Sequence, residues 1–465
     1  MRISAARRIA FEVLLRVEMQ GAYADELLHA RLAEPTLKRA DAALATELVM
    51  GVLRWQRLLD FLLEPQLASG AKGGEAKRGV ARLDAEVRVA LRLGLYQLRW
   101  LERIPARAAV NESVELVKRA RKASAAGLVN AVLRKAPTAR VEELVPRGLP
   151  AAERLAVLHS HPTWLVERWL AANGESETRA LLEANNSLPR VTCAVAEGES
   201  AEAVAAELRG EGVETRPGRW LRTALEIKGG TVAGTRALRE GRVRMQEEAS
   251  QMVARLLGVQ AGMRVLDVCA APGGKTLALA EAAGASGQVV AADLRAHRLR
   301  VMRERLARWP QVALVALDAG AELPLAGEFD AILVDVPCSG TGTLARHPEI
   351  RWRLRPEDLG DLQARQTAIL QTTAALLRPG GRLVYSTCSL EPEESEQVVE
   401  AVLARRPEMF MVSGAKALTA HLQAGAGRSE DRPLPAALFD ERGYFRTWPQ
   451  RHGTDGFFAA AIERR

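Results

Sequence analysis

From residue 241 onward the chain alternates short apolar runs with amphipathic stretches, and no other feature constrains its fold as much. "MRVLDVCAA" reads as a buried strand, followed by Gly-Gly and the helix "KTLALAEAAG". "GQVVAADL" is a second strand and "RAHRLRVMRERLARW" its helix; "VALVALD" and "FDAILVDVP" are further strands. The helix "DLQARQTAILQTTAALLRPGG" then leads into the strand "RLVYSTCSL". Strands separated by helices pair in parallel, which predicts a doubly wound, Rossmann-like α/β domain over residues 241–465. Such sheets bind ligands beyond the carboxyl ends of their strands. Asp293, Asp318, Asp335, Cys338 and Cys388 all fall at those ends.

The rest of the chain has a different texture, so the protein is multidomain. Residues 1–140 place apolar side chains three and four apart, as in Ile9, Val13, Leu14 and Val17, and again in Leu48, Val52 and Leu53. That period predicts an all-α bundle of about seven helices, with the Gly/Lys-rich stretch 68–79 as a connection. Residues 141–240 read as a Pro-punctuated linker and a small α+β module. The module holds a helix closed by Gly174 and strands at 190–196 and 223–230. The overall charge of +8 is unevenly placed, with +10 on residues 1–140 and −2 on the remainder. That asymmetry favours an anionic partner, of which a nucleic acid is the natural choice.

The four cysteines (193, 269, 338 and 388) form no CxxC pair, so no disulfide framework and no metal-ligand pattern is expected. A reducing, intracellular compartment is the simple reading. The N-terminal stretch is an amphipathic helix interrupted by Glu12 and Arg16 and does not read as a leader. No apolar run is long enough to predict a membrane span.

"DVCAAPGGKT" (267–276) fails as a phosphate-binding P-loop, because Cys269 stands where the first glycine is needed. The strict GxGxxG fingerprint is absent too. What remains is a strand, a tight Pro-Gly-Gly turn and a helix start, a pattern that a purely structural turn would also show. Asp293 weighs against that plainer reading, since it ends the next strand, where an acid accepts both hydroxyls of a ribose. Asp318 ends the third strand, beside where an adenine would lie. An adenosyl cofactor is therefore expected, and S-adenosylmethionine fits best.

The thiols raise the question of chemistry. Carbon 5 of a pyrimidine is a poor nucleophile. A thiolate that adds to C6 makes C5 enamine-like, able to attack a sulfonium methyl; a base then removes the C5 proton and the sulfur leaves. An acid must hold N3 and N4 of a cytosine meanwhile, and Asp335 lies three residues before Cys338. A free cysteine is more often a small buried hydrophobe, the reading kept for Cys193 and, apart from its backbone, for Cys269. Cys338 and Cys388 sit among hydroxyl residues on turns, so they are the chemical candidates. The residues alone leave open which sulfur attacks. His347, in "RHPE", could be proposed as a base but is expected to be a hydrogen-bonded structural group, with RNA contact as the lesser alternative.

"DVCAAPGGKT", "VDVPCSGTG", "RHPEIRW" and "VYSTCSLEPEE" together resemble the Sun-type RNA cytosine-C5 methyltransferases, in particular their bacterial RsmB (Fmu) branch. The resemblance continues through the closing "GTDGFFAAAIER". It takes in a NusB-like helical domain ("RIPARAAVNESVELVKRA", "GLVNAVLRK") and a small RNA-contacting subdomain ("HPTWLVERW"). It implies that Cys388 is the nucleophile and that Cys338 assists release of the methylated base. It further implies that Cys269, Ala270, Ala271, Pro272, Gly273, Gly274 and Lys275 bind S-adenosylmethionine together with Asp293, Asp318 and Asp335. Two departures are "MQEEAS", where the family often has Gln-Asp, and Ser395, where Asn is usual.

The implied activity is methylation of a cytosine in 16S ribosomal RNA, naked or in a partly assembled small subunit, by a cytoplasmic monomer. Two alternatives stand beside it: the same chemistry on transfer RNA, and a non-catalytic RNA-binding or ribosome-assembly factor. No short motif specifies which cytosine is chosen, since RNA recognition relies on shape and splayed bases.

Overall fold

The computed structural model describes residues 3–32, 34, 37–68, 79–422 and 437–465. The chain forms two units: Met1–Ser187 with Leu344–Leu354, and Leu188–Thr343 with Arg355–Arg465.

The first unit is helical. Residues up to 140 contribute, among those described, α1 (Ala5–Gln20), α2 (Ala24–Leu32), α3 (Arg39–Arg54), α4 (Gln56–Ala68), α5 (Ala85–Trp100), α6 (Ala106–Arg119) and α7 (Ala126–Arg134). The apolar stripes read from the sequence form its core, with Ile9, Val13, Leu48, Val52, Leu91 and Leu95 all buried. Gly51 lets α3 approach α5, since a Cβ there would lie 2.0 Å from the Tyr96 ring. Most of the connection expected over 68–79 lies outside the described residues. Gly174, at φ 74°, interrupts the helix Thr163–Asn186 where the sequence predicts a stop.

Residues 344–354, taken from the middle of the α/β sequence, belong to this helical unit. Arg351 anchors them and is 1% exposed. Its Nη1 donates to the carbonyls of Arg54 (3.4 Å) and Ser160 (3.0 Å) and to Asn186 Oδ1 (2.9 Å). Its Nη2 donates to the carbonyls of Asn185 (3.2 Å) and Leu344 (3.3 Å). Carbonyl dipoles here take the place of a counter-ion, and burial pulls the guanidinium pKa down to about 9.

The second unit holds two sheets. The smaller is antiparallel, in the order β2 (Glu214–Pro217), β3 (Ala224–Gly229), β1 (Val191–Val195), β4 (Val243–Met245). Cys193 lies on β1, fully buried, and burial raises its thiol to about 11, so it serves packing as expected.

The larger sheet runs β10 (Met409–Val412), β12 (Phe457–Arg464), β9 (Leu377–Thr387), β8 (Phe329–Asp335), β5 (Arg264–Val268), β6 (Gln288–Asp293), β7 (Val312–Ala316). The stretch β9-β8-β5-β6-β7 is parallel, as helix crossovers require. β12 pairs antiparallel with β9, and β10 and β11 (Phe445–Thr447) pair antiparallel with β12. The sheet is thus mixed, a departure from the wholly parallel sheet the alternation predicts. No described helix is long and apolar enough to cross a membrane.

Candidate functional site

The carboxyl ends of β5, β6, β8 and β9 bring the predicted residues together, all within the second unit. β5 carries Asp267, one residue before its end, and the chain then turns sharply through Cys269 (φ 61°) and Gly273 (φ 96°) into the helix Gly274–Ala283. The turn is tied to the next strand, because Ala270 N–H donates to Ala292 O (2.8 Å) and Ala271 N–H to Asp293 Oδ2 (3.2 Å). Asp293 ends β6, and its Oδ1 also accepts from Arg295 N–H at 2.9 Å. Asp318 lies two residues beyond β7, exposed, with Oδ1 accepting from Gly320 N–H at 2.9 Å. Burial pushes the Cys269 thiol up to about 12, which leaves its backbone, not its sulfur, as the part suited to line a ligand.

Asp267 did not stand out in the sequence. It is 1% exposed, and its Oδ2 accepts from Thr276 Oγ1 at 2.5 Å. Burial raises its carboxyl to about 7, and the Thr276 hydroxyl opposes that rise only in part. Oδ1 has no partner among the described residues. A buried acceptor left unanswered is costly, and a cofactor bearing hydroxyls and an ammonium supplies the donors such a site lacks. The strand-end acids and the open-backbone turn therefore fit S-adenosylmethionine. Residues 269–275, Asp293 and Asp318 are the groups that would hold it.

The candidate reactive groups lie one strand over. Asp335 ends β8 and is gripped from both sides. Lys275 Nζ donates to Oδ2 at 2.8 Å, and Ser386 Oγ, from β9, donates to Oδ1 at 2.8 Å. Burial alone would lower the lysine pKa, but the charge and hydrogen bond of Asp335 outweigh it, so Lys275 stays an ammonium. Three residues on, Cys338 Sγ lies 3.1 Å from Cys388 Sγ, which directly follows β9. The hydrogen bond to Cys338 and then burial hold the Cys388 thiol well above its usual pKa; Lys275 acts in the opposite sense.

A second set of polar contacts fixes the two cysteine turns against each other. Ser339 Oγ lies 3.0 Å from Ser389 Oγ, and Gly342 N–H donates to Cys388 O at 2.9 Å. A Cβ on Gly342 would fall 2.2 Å from Gly456 O, so the approach of these loops requires glycine. Beneath them is Glu394, fully buried. Its Oε1 accepts from Ser339 N–H (2.8 Å) and Gln366 Nε2 (2.8 Å), and its Oε2 from the Ser339 hydroxyl. Of the two departures, Glu247 of "MQEEAS" caps its helix by accepting from Ala249 N–H at 2.6 Å. Ser395 Oγ, by contrast, has no partner among the described residues, where a longer Asn would reach further.

Comparison with known proteins agrees with this geometry. Residues 254–463 match the model of the 16S rRNA methyltransferase RsmB/F family, residues 4–137 the NusB family, and residues 161–233 the RsmF/B-like ferredoxin-like domain. A Bacillus subtilis protein named "Probable ribosomal RNA small subunit methyltransferase B" is 33% identical over 472 residues, covering 100% of both chains. The "Ribosomal RNA small subunit methyltransferase B" of Pseudomonas putida is 34% identical, covering 99% of this chain and 98% of its own. One solved structure matches along 100% of both chains with a TM-score of 0.79 at 26% identity. A cofactor turn fitted to S-adenosylmethionine, two facing thiols and full-length likeness of this degree lead to one conclusion: the chain belongs to the RsmB/F family of S-adenosylmethionine-dependent rRNA methyltransferases.

Proposed function

We propose that the protein methylates carbon 5 of a cytosine in 16S ribosomal RNA through a covalent bond between Cys388 and C6. The observation that carries this reading is the pair of thiols 3.1 Å apart beside the Lys275–Asp335 ion pair. Cys388 gives up its proton to Asp335 and its sulfur bonds to C6, while Asp335, holding N3 and N4, passes that proton on to N3. Lys275 and Ser386 keep that carboxyl aimed. S-adenosylmethionine supplies an electrophilic methyl group. C5 then carries both the new methyl and its original hydrogen. Cys338 takes that proton and yields it to water, the C6–S bond breaks with its electrons returning to the Cys388 sulfur, and the N3 proton goes back through Asp335 to restore the Cys388 thiol.

The helical unit suits an RNA partner. Arg103, Arg107, Arg119, Arg121, Arg134 and Lys135 are all exposed, and exposed cations of this kind neutralise phosphates. The target base must be unpaired or flipped to reach a thiol, which favours naked or partly assembled RNA over a finished subunit. We further propose a cytoplasmic monomer divided functionally into residues 1–140, 141–240 and 241–465.

The test is nucleoside analysis by mass spectrometry after incubation with S-adenosylmethionine and, separately, naked 16S rRNA, 23S rRNA and transfer RNA. 5-Methylcytidine in 16S rRNA is the expected product. The same nucleoside in transfer RNA alone would move the substrate, a methyl on another atom would sink the thiolate mechanism, and no methyl anywhere would favour a non-catalytic RNA-binding factor.

A pH dependence follows. Cys388 is held above its usual pKa, so the thiolate is the minor form at neutrality, and its fraction grows about tenfold per pH unit below that pKa. Single-turnover adduct formation should therefore rise steadily between about pH 6 and pH 8.5. A flat profile over that range would show that thiol ionisation does not limit attack.

A further inference from the structure

The segment 344–354, "LARHPEIRWRL", holds a buried carboxylate oxygen without a hydrogen-bond donor within the helical unit. Glu349 is 1% exposed, and its Oε1 accepts from Ala24 N–H at 3.1 Å. Its Oε2, enclosed as well, has no partner among the described residues. Withdrawing a carboxylate oxygen from water without a hydrogen-bond donor is expensive, and the nearby Arg351 charge acts on Glu349 without a hydrogen bond to it. His347 Nδ1 is likewise buried without a hydrogen bond. It lies 3.9 Å from Oδ2 of Asp25, in the first turn of α2. One ligand atom from each of the three side chains lies within 4.8 Å of the other two.

We propose that Asp25, His347 and Glu349 form a divalent-metal site that takes Zn²⁺. One imidazole nitrogen and two carboxylate oxygens are a donor set zinc accepts, with the fourth position left to water. Asp25 is exposed and leaves an entry path from solvent. Metal bonds of about 2.0–2.2 Å require the three donors to draw in by roughly 1 Å, a movement open to Asp25 on its exposed turn. Two carboxylates and a neutral imidazole balance the ion's charge. The metal would then clip the inserted segment to α2. No CxxC spacing announces such a site, because its ligands come from distant parts of the sequence.

The test must keep the reactive thiols out, since they also bind zinc. Full-length protein carrying Cys338→Ser and Cys388→Ser, stripped of metal, is titrated with Zn²⁺ against a chromophoric chelator. One bound equivalent is expected. Glu349→Gln, which retains an acceptor for Ala24, and His347→Gln should each weaken it by at least about tenfold. Asp25→Asn, at an exposed position where folding is not at stake, should weaken it likewise. The thermal midpoint should rise with zinc in the parent and rise less at the same zinc concentration in all three variants. Absence of a bound equivalent in the parent, or equal affinity in all four proteins, would overturn the site.

Discussion

Cys388→Ala is expected to abolish both methyl transfer and the protein–RNA adduct, a loss of at least about 10³-fold, because the proposed mechanism draws its attacking sulfur from Cys388. Cys338→Ala should behave differently. Attack and methylation proceed, but the C5 proton finds no base, so a denaturant-stable adduct accumulates while turnover stops. The two outcomes are separable on a denaturing gel with labelled S-adenosylmethionine and 16S rRNA. The structure makes the test necessary, since with the sulfurs 3.1 Å apart, distance alone does not say which one attacks. Their surroundings differ: Cys388 follows directly on β9, whose Ser386 grips Asp335, and it feels the Lys275 charge. If the adduct builds up in Cys388→Ala instead, the roles proposed for the two thiols are reversed.

Glu394→Ala should unfold the floor of the site. The carboxylate receives the Ser339 N–H, the Ser339 hydroxyl and the Gln366 amide, and it is fully buried. Removing it leaves donors without acceptors in a dry interior, each worth about 1–3 kcal/mol. A loss of about 3 kcal/mol in denaturant unfolding is expected. The turn bearing Cys338 is then free to shift against that bearing Cys388, and misplacement by an ångström costs about 10²-fold in rate. The rate of adduct formation should fall while the KM for S-adenosylmethionine holds, because Glu394 touches none of the groups assigned to the cofactor. Unchanged stability together with an unchanged adduct rate would remove Glu394 from any positioning role.

What the sequence disclosed about this site follows from strand polarity. Asp293, Asp335 and Cys388 were legible because buried strands are short apolar runs, and the residue that ends such a run faces the ligand side. The partnerships were not legible. Lys275 reads as part of a Gly-Gly turn, and its pairing with Asp335 appears only when β5 and β8 lie side by side. Asp267 looks like one more strand residue until its environment shows an acceptor without a donor. Glu394 closes the motif "VYSTCSLEPEE", where nothing in the spacing marks it as the acid that the chain folds inward. The antiparallel edge was missed for a related reason. Alternation of strand and helix predicts crossovers, whereas β12 returns along β9 without one.

The eleven residues 344–354 have a bearing on how such a protein can be inherited or cut apart. They are encoded inside the catalytic sequence but belong to the helical unit, with Arg351 bonded to the carbonyls of Arg54, Ser160 and Asn185. Domain boundaries usually fall in exposed linkers that few contacts cross. Here a gene fragment beginning at residue 188 would carry a guanidinium left with Leu344 O alone of its acceptors, and a fragment ending at residue 187 would carry acceptors without their guanidinium. In this chain the bonds that hold residues 344–354 are lost from either fragment, so exchanging the helical unit also means replacing those eleven residues.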